Sequence, residues 1–387
     1  MISSINKFIR VLSFFVILFV ISCTKQSNTE KYKVLKINTD KSSENIKLSQ
    51  ITNNFKFIKL YTDSLFLIGD IRNIVYKNKI YVQNFQKILV FFPNGSPAYA
   101  VNKQGRAGAE YYEINDFHVD TNNNIIEIWD KVRRKLLIFN DNNGRFIKSY
   151  KIDIDAYYFK KIKQDYFFYS SGCYLKQGKS TARIFSVNKK GNINNSFLES
   201  DYINLYSFST PAFLSVNNGC VFYDDAPLSE IYKINNNEIE LVYKFDINNN
   251  TITKGEYLSL RNLRASDRLN QLRRKYNYSI GQTNVNKYCI KFEIMAKSKW
   301  YIGFYNIKSN NYYIANNIIE DSILKIPVWY KNICNDKLIS YIPSYKILNS
   351  NVNYEPLVKT NPEIYKIIKS IHKFDNPIVI ISNLKEF

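Results

Sequence analysis

The chain has 387 residues, of which 45% are hydrophobic and 16% aromatic, and its formal net charge is +21 at pH 7. This length is sufficient for one large β domain or two domains of ordinary size. The positive charge alone would suggest a nucleic-acid partner. The basic residues are scattered, however, and Asn, Ile, Tyr and Phe are abundant beside them, as an AT-rich coding sequence would produce. We therefore exclude nucleic acid as a partner and predict a solvated basic surface.

The N-terminal residues have the pattern of an export signal. Lys7 and Arg10 precede residues 11–21, which are apolar apart from one serine and about half as long as a bilayer-spanning helix. Val20-Ile21-Ser22-Cys23 resembles the lipobox of bacterial lipoproteins. This resemblance implies a signal peptide over residues 1–22 and lipidation of Cys23. The alternatives are an ordinary cleaved signal and a short membrane anchor.

The residues after this motif divide into a linker and a domain. Acyl chains on Cys23 would anchor the chain to a membrane, because each buried methylene contributes about 0.8 kcal/mol. Residues 23–45 are mostly polar and predict a tether. Residues 46–387 are then the predicted folded domain, and they contain no second apolar run long enough to span a membrane.

From residue 71 onwards, short β-type runs alternate with turn residues at intervals of about eight to twelve residues. The first group of runs comprises residues 71–76, 79–83 and 88–92. The second group comprises residues 116–119, 125–129, 135–139 and 145–152. Tight turns such as Pro93-Asn94-Gly95 and Asn142-Asn143-Gly144 close the hairpins, because Gly and Asn accept the positive φ angles that such turns need.

The hairpin glycines recur along the chain. Gly95, Gly144 and Gly191 are about 48 residues apart, and weaker copies of the pattern cover residues 229–245 and 301–315. Four short strands in each such period are typical of a β-propeller blade. Runs such as Ile-Ile-Glu-Ile-Trp are apolar on both faces and must be packed between neighbouring sheets. We predict an all-β propeller; a pair of β-sandwiches would account for the strands but not for the repeat.

A set of successive stretches resembles an NHL-type propeller repeat. They are residues 105–111 (Gly-Arg-Ala-Gly-Ala-Glu-Tyr), 115–120, 124–130 (Asn-Ile-Ile-Glu-Ile-Trp-Asp), 135–140 and 144–146. More closely, residues 46–387 resemble the six-bladed β-propeller lipoproteins of the Bacteroidetes. The shared start is Phe57-Ile58-Lys59-Leu60, and the shared end is Asp375-Asn376-Pro377-Ile378-Val379-Ile380-Ile381. The resemblance implies six blades and a location in the cell envelope, and it implies no established reaction.

The residues after Cys23 also bear on location. In the Bacteroidetes, acidic residues soon after the lipidated cysteine resemble a signal for export to the cell surface. Here the sequence continues Thr-Lys-Gln-Ser-Asn-Thr-Glu-Lys, without an acidic cluster. We therefore predict an outer-membrane lipoprotein on the periplasmic face rather than on the surface.

One stretch interrupts the β pattern. Residues 254–278 are predicted to form a helical insertion, because apolar residues recur there on one face at helical spacing. These apolar residues are Leu258, Ala265, Leu269, Leu272 and Tyr276. Arg261, Arg264 and Arg268 lie in a row beside them and are candidate partner-binding residues. The alternative is a helix packed over a blade edge with a solvated basic flank.

Motifs for chemistry are scarce. The chain has two histidines, His118 and His372, which we predict to be structural, and no G-x-S-x-G, P-loop or H-E-x-x-H motif. Asp116 and Asp130 are candidate residues of the channel mouth, where carboxylates would bind calcium in an enzymatic alternative. Asp141-Asn142-Asn143-Gly144 resembles half of a calcium loop, but a hairpin turn explains it better. We therefore predict no metal site and no cofactor.

Four cysteines remain if Cys23 is lipidated. They are Cys173, Cys220, Cys289 and Cys334. None belongs to a C-x-x-C pair, so metal ligation is not indicated. We predict free buried thiols, and one disulfide is the alternative in an oxidising compartment.

These observations favour a monomeric, envelope-anchored propeller that acts as a binding or protein-interaction scaffold for a glycan, a peptide or an envelope protein. The alternative is a calcium-dependent hydrolase or lyase with a carboxylate site at the central channel. Three or more convergent Asp, Glu or Asn side chains at the channel mouth would favour the enzyme, and an aromatic or arginine-lined surface would favour the binder. We also predict that residues 378–381 close the ring by pairing in the last blade with residues 55–60.

Overall fold

Six small sheets are arranged in a ring and form a six-bladed β-propeller, which confirms the predicted fold class. The structure is a computed structural model that describes residues 32–84, 86–170, 182–199, 214–235 and 238–387. The folded unit runs from Val34 to Phe387. The predicted signal peptide and Cys23 lie outside the described residues. Within the described ranges, no helix is long and apolar enough to cross a membrane.

The N-terminal part of the unit supplies strands to blades that lie far along the chain. Its elements are β1 (Lys33–Ile37), a 3₁₀ helix (Thr39–Lys41), β2 (Asn45–Lys47), α1 (Leu48–Ile51) and β3 (Thr52–Lys59).

The first four blades each contain a four-stranded antiparallel meander. Blade 1 consists of β4 (Asn73–Tyr76), β5 (Ile80–Gln83), β6 (Ile88–Phe91) and β7 (Pro97–Val101). Blade 2 consists of β8 (Asp116–Asp120), β9 (Ile125–Asp130), β10 (Lys135–Asn140) and β11 (Phe146–Lys151). Blade 3 consists of β12 (Tyr158–Ile162), β13 (Asp165–Tyr169), β14 (Ala182–Val187) and β15 (Ile193–Glu199). Blade 4 consists of β16 (Leu214–Asn217), β17 (Cys220–Asp225), β18 (Glu230–Asn235) and β19 (Glu238–Ile247), and β1 adds a fifth strand beside β19.

The last two blades carry the helices. Helices α2 (Lys254–Ser259) and α3 (Ala265–Lys275) lie between blades 4 and 5. Blade 5 consists of β20 (Tyr278–Ser279), β21 (Asn284–Val285), β22 (Cys289–Ala296), β23 (Lys299–Asn306) and β24 (Tyr312–Ala315). Strand β25 (Asn317–Glu320) pairs with β2 and with the start of β26. Blade 6 consists of β26 (Ile326–Cys334), β27 (Lys337–Ile342), β28 (Ile378–Leu384) and β3. Helices α4 (Ser344–Leu348), α5 (Leu357–Thr360) and α6 (Pro362–Lys369) connect β27 to β28.

The structure corrects the predicted tether over residues 23–45. From Lys33 onwards this segment is folded, because β1 extends the sheet of blade 4. Leu35 and Ile37 are buried in the apolar layer between blades 4 and 5. Strand β1 has only five residues and lies in a mostly polar segment, so the composition of residues 23–45 does not reveal that two of its side chains are buried.

Side chains that alternate along the strands build the core. Six apolar clusters lie between successive pairs of blades, one at each junction of the ring. Each sheet is therefore buried on both faces, as the runs of apolar residues predicted. The hairpin turns also follow the prediction, since Gly95 has a φ of +87°. A Cβ on this glycine would overlap the carbonyl oxygen of Lys59, so only glycine fits the turn.

The predicted closure of the ring is confirmed. In blade 6, β28 lies between β27 and β3, and Val379 pairs with Ile58 while Ile380 pairs with Phe57. A strand from the start of the domain thus completes a sheet formed by the end of the chain. Ring closure in this protein therefore depends on hydrogen bonds between segments more than 300 residues apart.

Candidate functional site

The centre of the ring holds a cavity of about 990 Å³, a volume at the upper end of the range for small-ligand sites. Its walls come from the innermost strand of every blade, namely β4, β8, β12, β16, β21 and β26.

The described part of the cavity wall is rich in cations. It contains seven lysine and arginine side chains but two carboxylates, Glu113 and Asp155. Most of these cations have an acidic partner, in or behind the wall. The ion pairs are Arg72–Glu113 at 3.1 Å, Lys131–Asp155 at 3.2 Å, Arg134–Asp153 at 2.7 Å, Lys160–Asp116 at 3.4 Å and Lys161–Glu127 at 2.9 Å. Much of the positive charge is therefore neutralised locally.

Lys77 and Lys331 are exceptions, because neither has an ion-pair partner among the described residues. Lys77 follows β4 and donates to the carbonyl oxygen of Val119. Lys331 lies in β26 with its ammonium nitrogen 5.7 Å from the ring centre of Tyr341. Burial lowers the pKa of both lysines, since a cation in the wall loses hydration. Each ammonium group can therefore form a favourable ion pair with a negatively charged group in the cavity.

His118 lines the same cavity from the middle of β8. Its imidazole makes no hydrogen bond with another described residue. Burial, followed by the charges of Lys77, Lys160 and Lys161, lowers the pKa of His118 to about 3. The imidazole is therefore neutral at pH 7 and offers one donor and one acceptor nitrogen to the cavity.

Amides and tyrosines complete the wall. The amide residues are Asn73, Gln83, Asn115, Gln282, Asn284, Asn332 and Asn335. Tyr157, Tyr158 and Tyr330 add aromatic surface from blades 3 and 6. Some of the amides are already bonded, as in Asn332, whose Nδ2 donates to Asn73 Oδ1 at 3.2 Å. The wall as a whole presents hydrogen-bonding groups and cations to a polar ligand.

The two carboxylates predicted at the channel mouth are placed differently. Asp116 and Asp130 are both buried in blade 2, and neither lines the cavity. Asp116 accepts hydrogen bonds from the backbone amides of Phe117 and Phe159, at 2.9 and 3.1 Å. Asp130 accepts from the amide of Tyr112 at 2.6 Å. Both side chains therefore fix local backbone in the structure.

The helical insertion is two helices rather than one. Residues 260–264 separate α2 from α3, and Arg268 donates to the carbonyl oxygens of Arg261 and Leu263, at 2.8 and 3.2 Å. These bonds satisfy carbonyl groups that the break leaves without helical partners. Arg261 and Arg264 are exposed, whereas Arg268 is half-buried. Arg268 thus has a structural role at the break between the helices. A partner-binding role for the three arginines stays a prediction.

The described cysteines are free thiols. Cys220 and Cys289 are buried free thiols and Cys334 is a half-buried free thiol, while Cys173 lies outside the described ranges. Within those ranges no group of three His, Cys, Asp or Glu side chains is arranged to hold a metal ion. Asp141, from the half calcium loop, is buried and accepts hydrogen bonds from Tyr81 and Tyr99.

A buried carboxylate joins blades 4 and 5 next to the cavity wall. Asp224 accepts hydrogen bonds from Ser279 Oγ at 2.6 Å and from Thr283 Oγ1, and its Oδ1 has no partner among the described residues. Burial raises the pKa of Asp224 from 3.8 to about 6. The folded state therefore holds this proton more tightly than the unfolded chain, so the contribution of Asp224 to stability is fully present below about pH 4 and is lost as the pH rises through 6.

We expect Asp224→Asn to remove this pH dependence. Relative to the variant, the wild type should lose about 3 kcal/mol of unfolding free energy between pH 4 and pH 7. Thermal unfolding of both proteins across this range measures the difference. Asp267→Asn, an exposed change in α3, is the control and should follow the wild type. Parallel curves for the wild type and Asp224→Asn would show that Asp224 is ionised at all these pH values.

Comparisons with known proteins agree with the architecture. A protein of Bacteroides fragilis NCTC 9343, described as exported, has a solved structure that matches with a TM-score of 0.71 at 15% identity, covering 92% of this chain and 100% of that one. A member of the DUF4221 family from Bacteroides vulgatus ATCC 8482 matches with a TM-score of 0.50 at 8% identity, covering 87% and 97%. These identities support the fold alone. A comparison with curated proteins finds no match.

The predicted resemblance to a propeller family of the Bacteroidetes is thereby confirmed. The family model described as "Domain of unknown function (DUF4934)" matches residues 32–383, which includes nearly all of the folded unit. The chain therefore belongs to the DUF4934 family.

Proposed function

We propose that this protein is an exported lipoprotein, anchored through Cys23, whose propeller is a binding module with the central cavity as its ligand site. The observation that carries the proposal is the cavity wall. Inner strands of all six blades meet there, and the wall presents side chains such as His118 and Lys331 that have no hydrogen-bond or ion-pair partner among the described residues. Polar groups of this kind are free to form hydrogen bonds and ion pairs with a ligand that enters the cavity.

An enzyme that uses a carboxylate-bound metal is less well supported. Such a site needs several carboxylates whose oxygens are free to coordinate the ion. Glu113 and Asp155 are the acidic groups of the described wall. Each already forms an ion pair, Glu113 with Arg72 and Asp155 with Lys131. Most of the remaining polar groups of the wall are amides, lysines and arginines, which suit recognition of a polar ligand.

A ligand panel tests the binding site. Neutral oligosaccharides, acidic sugars and short peptides should be screened by thermal shift against the wild type and Val216→Trp. Val216 lines the cavity and is 44% exposed, so the larger side chain should fill the space without disturbing the core. Ile147→Trp is the control, because Ile147 is exposed on the outer strand of blade 2.

We expect at least one class of ligand to raise the melting temperature of the wild type and of the control, but not that of Val216→Trp. A ligand that stabilises all three proteins equally would bind elsewhere. If no member of the panel binds the wild type, the cavity is not a site for these classes and the proposal fails.

The anchor is supported by the motif Val20-Ile21-Ser22-Cys23 and by the exported protein of similar fold. We expect the wild type to carry acyl chains and to fractionate with the outer membrane. Cys23→Ala should lack acylation and be recovered as an unprocessed or a soluble exported protein. Labelling with an alkyne fatty acid, followed by membrane fractionation, measures both properties. Recovery of Cys23→Ala as a mature, acylated outer-membrane species would refute the lipoprotein assignment. Protease access in intact cells would then distinguish the periplasmic face, which we propose, from the surface.

A further inference from the structure

One region of the cavity wall concentrates basic side chains. We name it the His118 cluster, and it consists of Lys77, His118, Lys160 and Lys161. Lys77 lies in the turn after β4 of blade 1, His118 lies in β8 of blade 2, and the two other lysines lie in β12 of blade 3. The lysines are close enough to His118 to depress its pKa, with Asp120 acting in the opposite sense. Whether each lysine of the cluster can bind a ligand therefore depends on how far the neighbouring carboxylates already neutralise it.

The three lysines differ in the hydrogen-bond and ion-pair partners that their ammonium groups have in the protein. Lys161 is held by two carboxylates, with Nζ 3.0 Å from Asp120 and 2.9 Å from Glu127. Lys160 has one carboxylate contact, to Asp116 at 3.4 Å, which is long for a charge-assisted hydrogen bond. Lys77 has a carbonyl partner and no carboxylate.

The carboxylate of Asp116, which is the ion-pair partner of Lys160, also accepts hydrogen bonds from backbone amides. The oxygen of Asp116 that faces Lys160 already accepts the backbone amide of Phe159 at 3.1 Å, and the other accepts that of Phe117. One carboxylate oxygen can accept both bonds, so Lys160 uses one of its three ammonium donors here and keeps the others for a further acceptor. Two cations and one unpartnered imidazole thus face the cavity with hydrogen-bonding capacity to spare.

We propose that the central cavity binds the anionic oxygen group of a small polar ligand through Lys77, Lys160 and His118. Carboxylate, sulfate and phosphate share the chemistry that this cluster recognises: negatively charged oxygens that accept hydrogen bonds from ammonium and imidazole groups. The same cavity wall contains amides, such as that of Asn335, which can form hydrogen bonds with the hydroxyl groups of a sugar that carries the anion. This inference rests on the proposed function and adds the ligand class.

The histidine content of the chain provides a direct probe. Only His118 and His372 are present, so a histidine-labelled protein gives two imidazole signals in an NMR spectrum. His372 has an 85% exposed side chain beside Asp375 and serves as the internal reference. A bound anion stabilises the protonated imidazole, and we expect it to raise the pKa of His118 by about one unit or more.

The ligand set is glucuronate, glucose 6-sulfate and glucose 6-phosphate, with glucose as the neutral counterpart, all at matched ionic strength. We expect at least one acidic sugar to move the His118 resonance and raise its pKa, and glucose to leave both unchanged. The acid that binds most tightly identifies the anion. The signal of His372 should respond to none of them.

Lysine variants test the assignment. Lys77→Met and Lys160→Met should each weaken binding of the acidic sugar about tenfold or more. Lys189→Met, an exposed change in the turn between β14 and β15, should bind like the wild type. The methionine variants should also raise the pKa of His118 in the free protein, because each removes a charge that now depresses it. Lys160→Arg keeps the charge and should retain binding, which separates a ligand contact from a folding defect.

Two results would overturn the inference. One is that none of the three acidic sugars moves the His118 signal, and the other is that the methionine variants bind the acidic sugar as tightly as the wild type. If a neutral sugar or a peptide binds the cavity in the ligand panel while the acidic sugars fail here, the proposed function stands and the anionic ligand class is wrong.

Discussion

Removal of residues 376–387 should leave the propeller open and cause the protein to aggregate. The deleted segment contains β28, which is hydrogen-bonded on both sides, to β27 and to β3. Its loss leaves both of those strands with an unpaired edge inside an unfinished blade. Exposed, unpaired edges recruit strands from other molecules, so association is the expected outcome.

The apolar contribution of this strand points to the same result. Residues 378–381 are buried on alternating sides: Ile378 and Ile380 in the cluster between blades 5 and 6, and Val379 and Ile381 in the cluster between blades 6 and 1. Burial of each side chain stabilises the fold by about 1.5–3 kcal/mol. Four of them contribute roughly 6–12 kcal/mol, which is comparable with the whole stability of a typical protein, about 5–15 kcal/mol.

Light scattering after size-exclusion chromatography, together with thermal unfolding, measures the effect. A milder variant, Ile380→Ala, should remain folded but lose about 2–5 kcal/mol. The matched control is Ile147→Ala, since this isoleucine is 47% exposed on an outer strand and its truncation should cost less than about 0.5 kcal/mol. A truncated protein that is monomeric and melts at the temperature of the full-length chain would show that the ring closes without β28.

The fold was predictable because its signals are local. Tight hairpins at Gly95, Gly144 and Gly191 and runs with apolar residues on both faces are properties of a few consecutive residues. Closure of the ring could also be predicted from the sequence, since residues 378–381 are strongly β-forming and follow turn residues. The repeated unit then determined the architecture, because sheets buried on both faces must stack on one another.

The cavity could not be predicted in the same way. Lys77, His118 and Lys160 are separated by about 40 residues each and come together only because successive inner strands line one channel. Lys160 and Lys161 both lie in β12 and line the cavity, whereas the sequence analysis assigned the basic residues to a solvated surface. A lysine in a short β run, where the pattern calls for an apolar residue, is the signal that the scattered-charge interpretation overlooked.

The break in the helical insertion was missed for a related reason. The spacing of apolar residues continued across residues 260–264, so the pattern predicted one helix. In the structure, Tyr257, Leu260 and Leu272 are buried in one cluster with Tyr278 of blade 5. The turn lets both helices contact this cluster, and the guanidinium of Arg268 satisfies the carbonyl groups that the turn exposes.

Asp141→Ala should be strongly destabilising, with a loss of about 3–5 kcal/mol of unfolding free energy. Asp141 lies fully buried after β10 in blade 2. Its carboxylate accepts hydrogen bonds from Tyr81 OH at 2.9 Å and from Tyr99 OH at 2.6 Å, and its Oδ2 lies 3.3 Å from Lys79 Nζ. All three donors belong to blade 1 or to the turn that precedes β5, so this one residue joins two blades.

The large cost comes from the groups that the substitution leaves behind. The hydroxyl of Tyr81 and the ammonium group of Lys79 are buried or nearly so, and water cannot replace the missing carboxylate without opening the junction. A buried network of this kind is also screened little by salt. The loss measured for Asp141→Ala should therefore be nearly the same at low and at high ionic strength.

Chemical denaturation of the wild type and of three variants, Asp141→Ala, Asp141→Asn and Asn142→Ala, tests this account. Asn142→Ala changes the next residue, which is exposed in the same turn, and should remain within about 0.5 kcal/mol of the wild type. Asp141→Asn keeps an oxygen acceptor for one tyrosine but removes the charge that Lys79 needs, so its loss should lie between those of the other two variants. If Asp141→Ala unfolds at the same denaturant concentration as Asn142→Ala, the carboxylate does not hold blades 1 and 2 together, and the apolar cluster between them suffices.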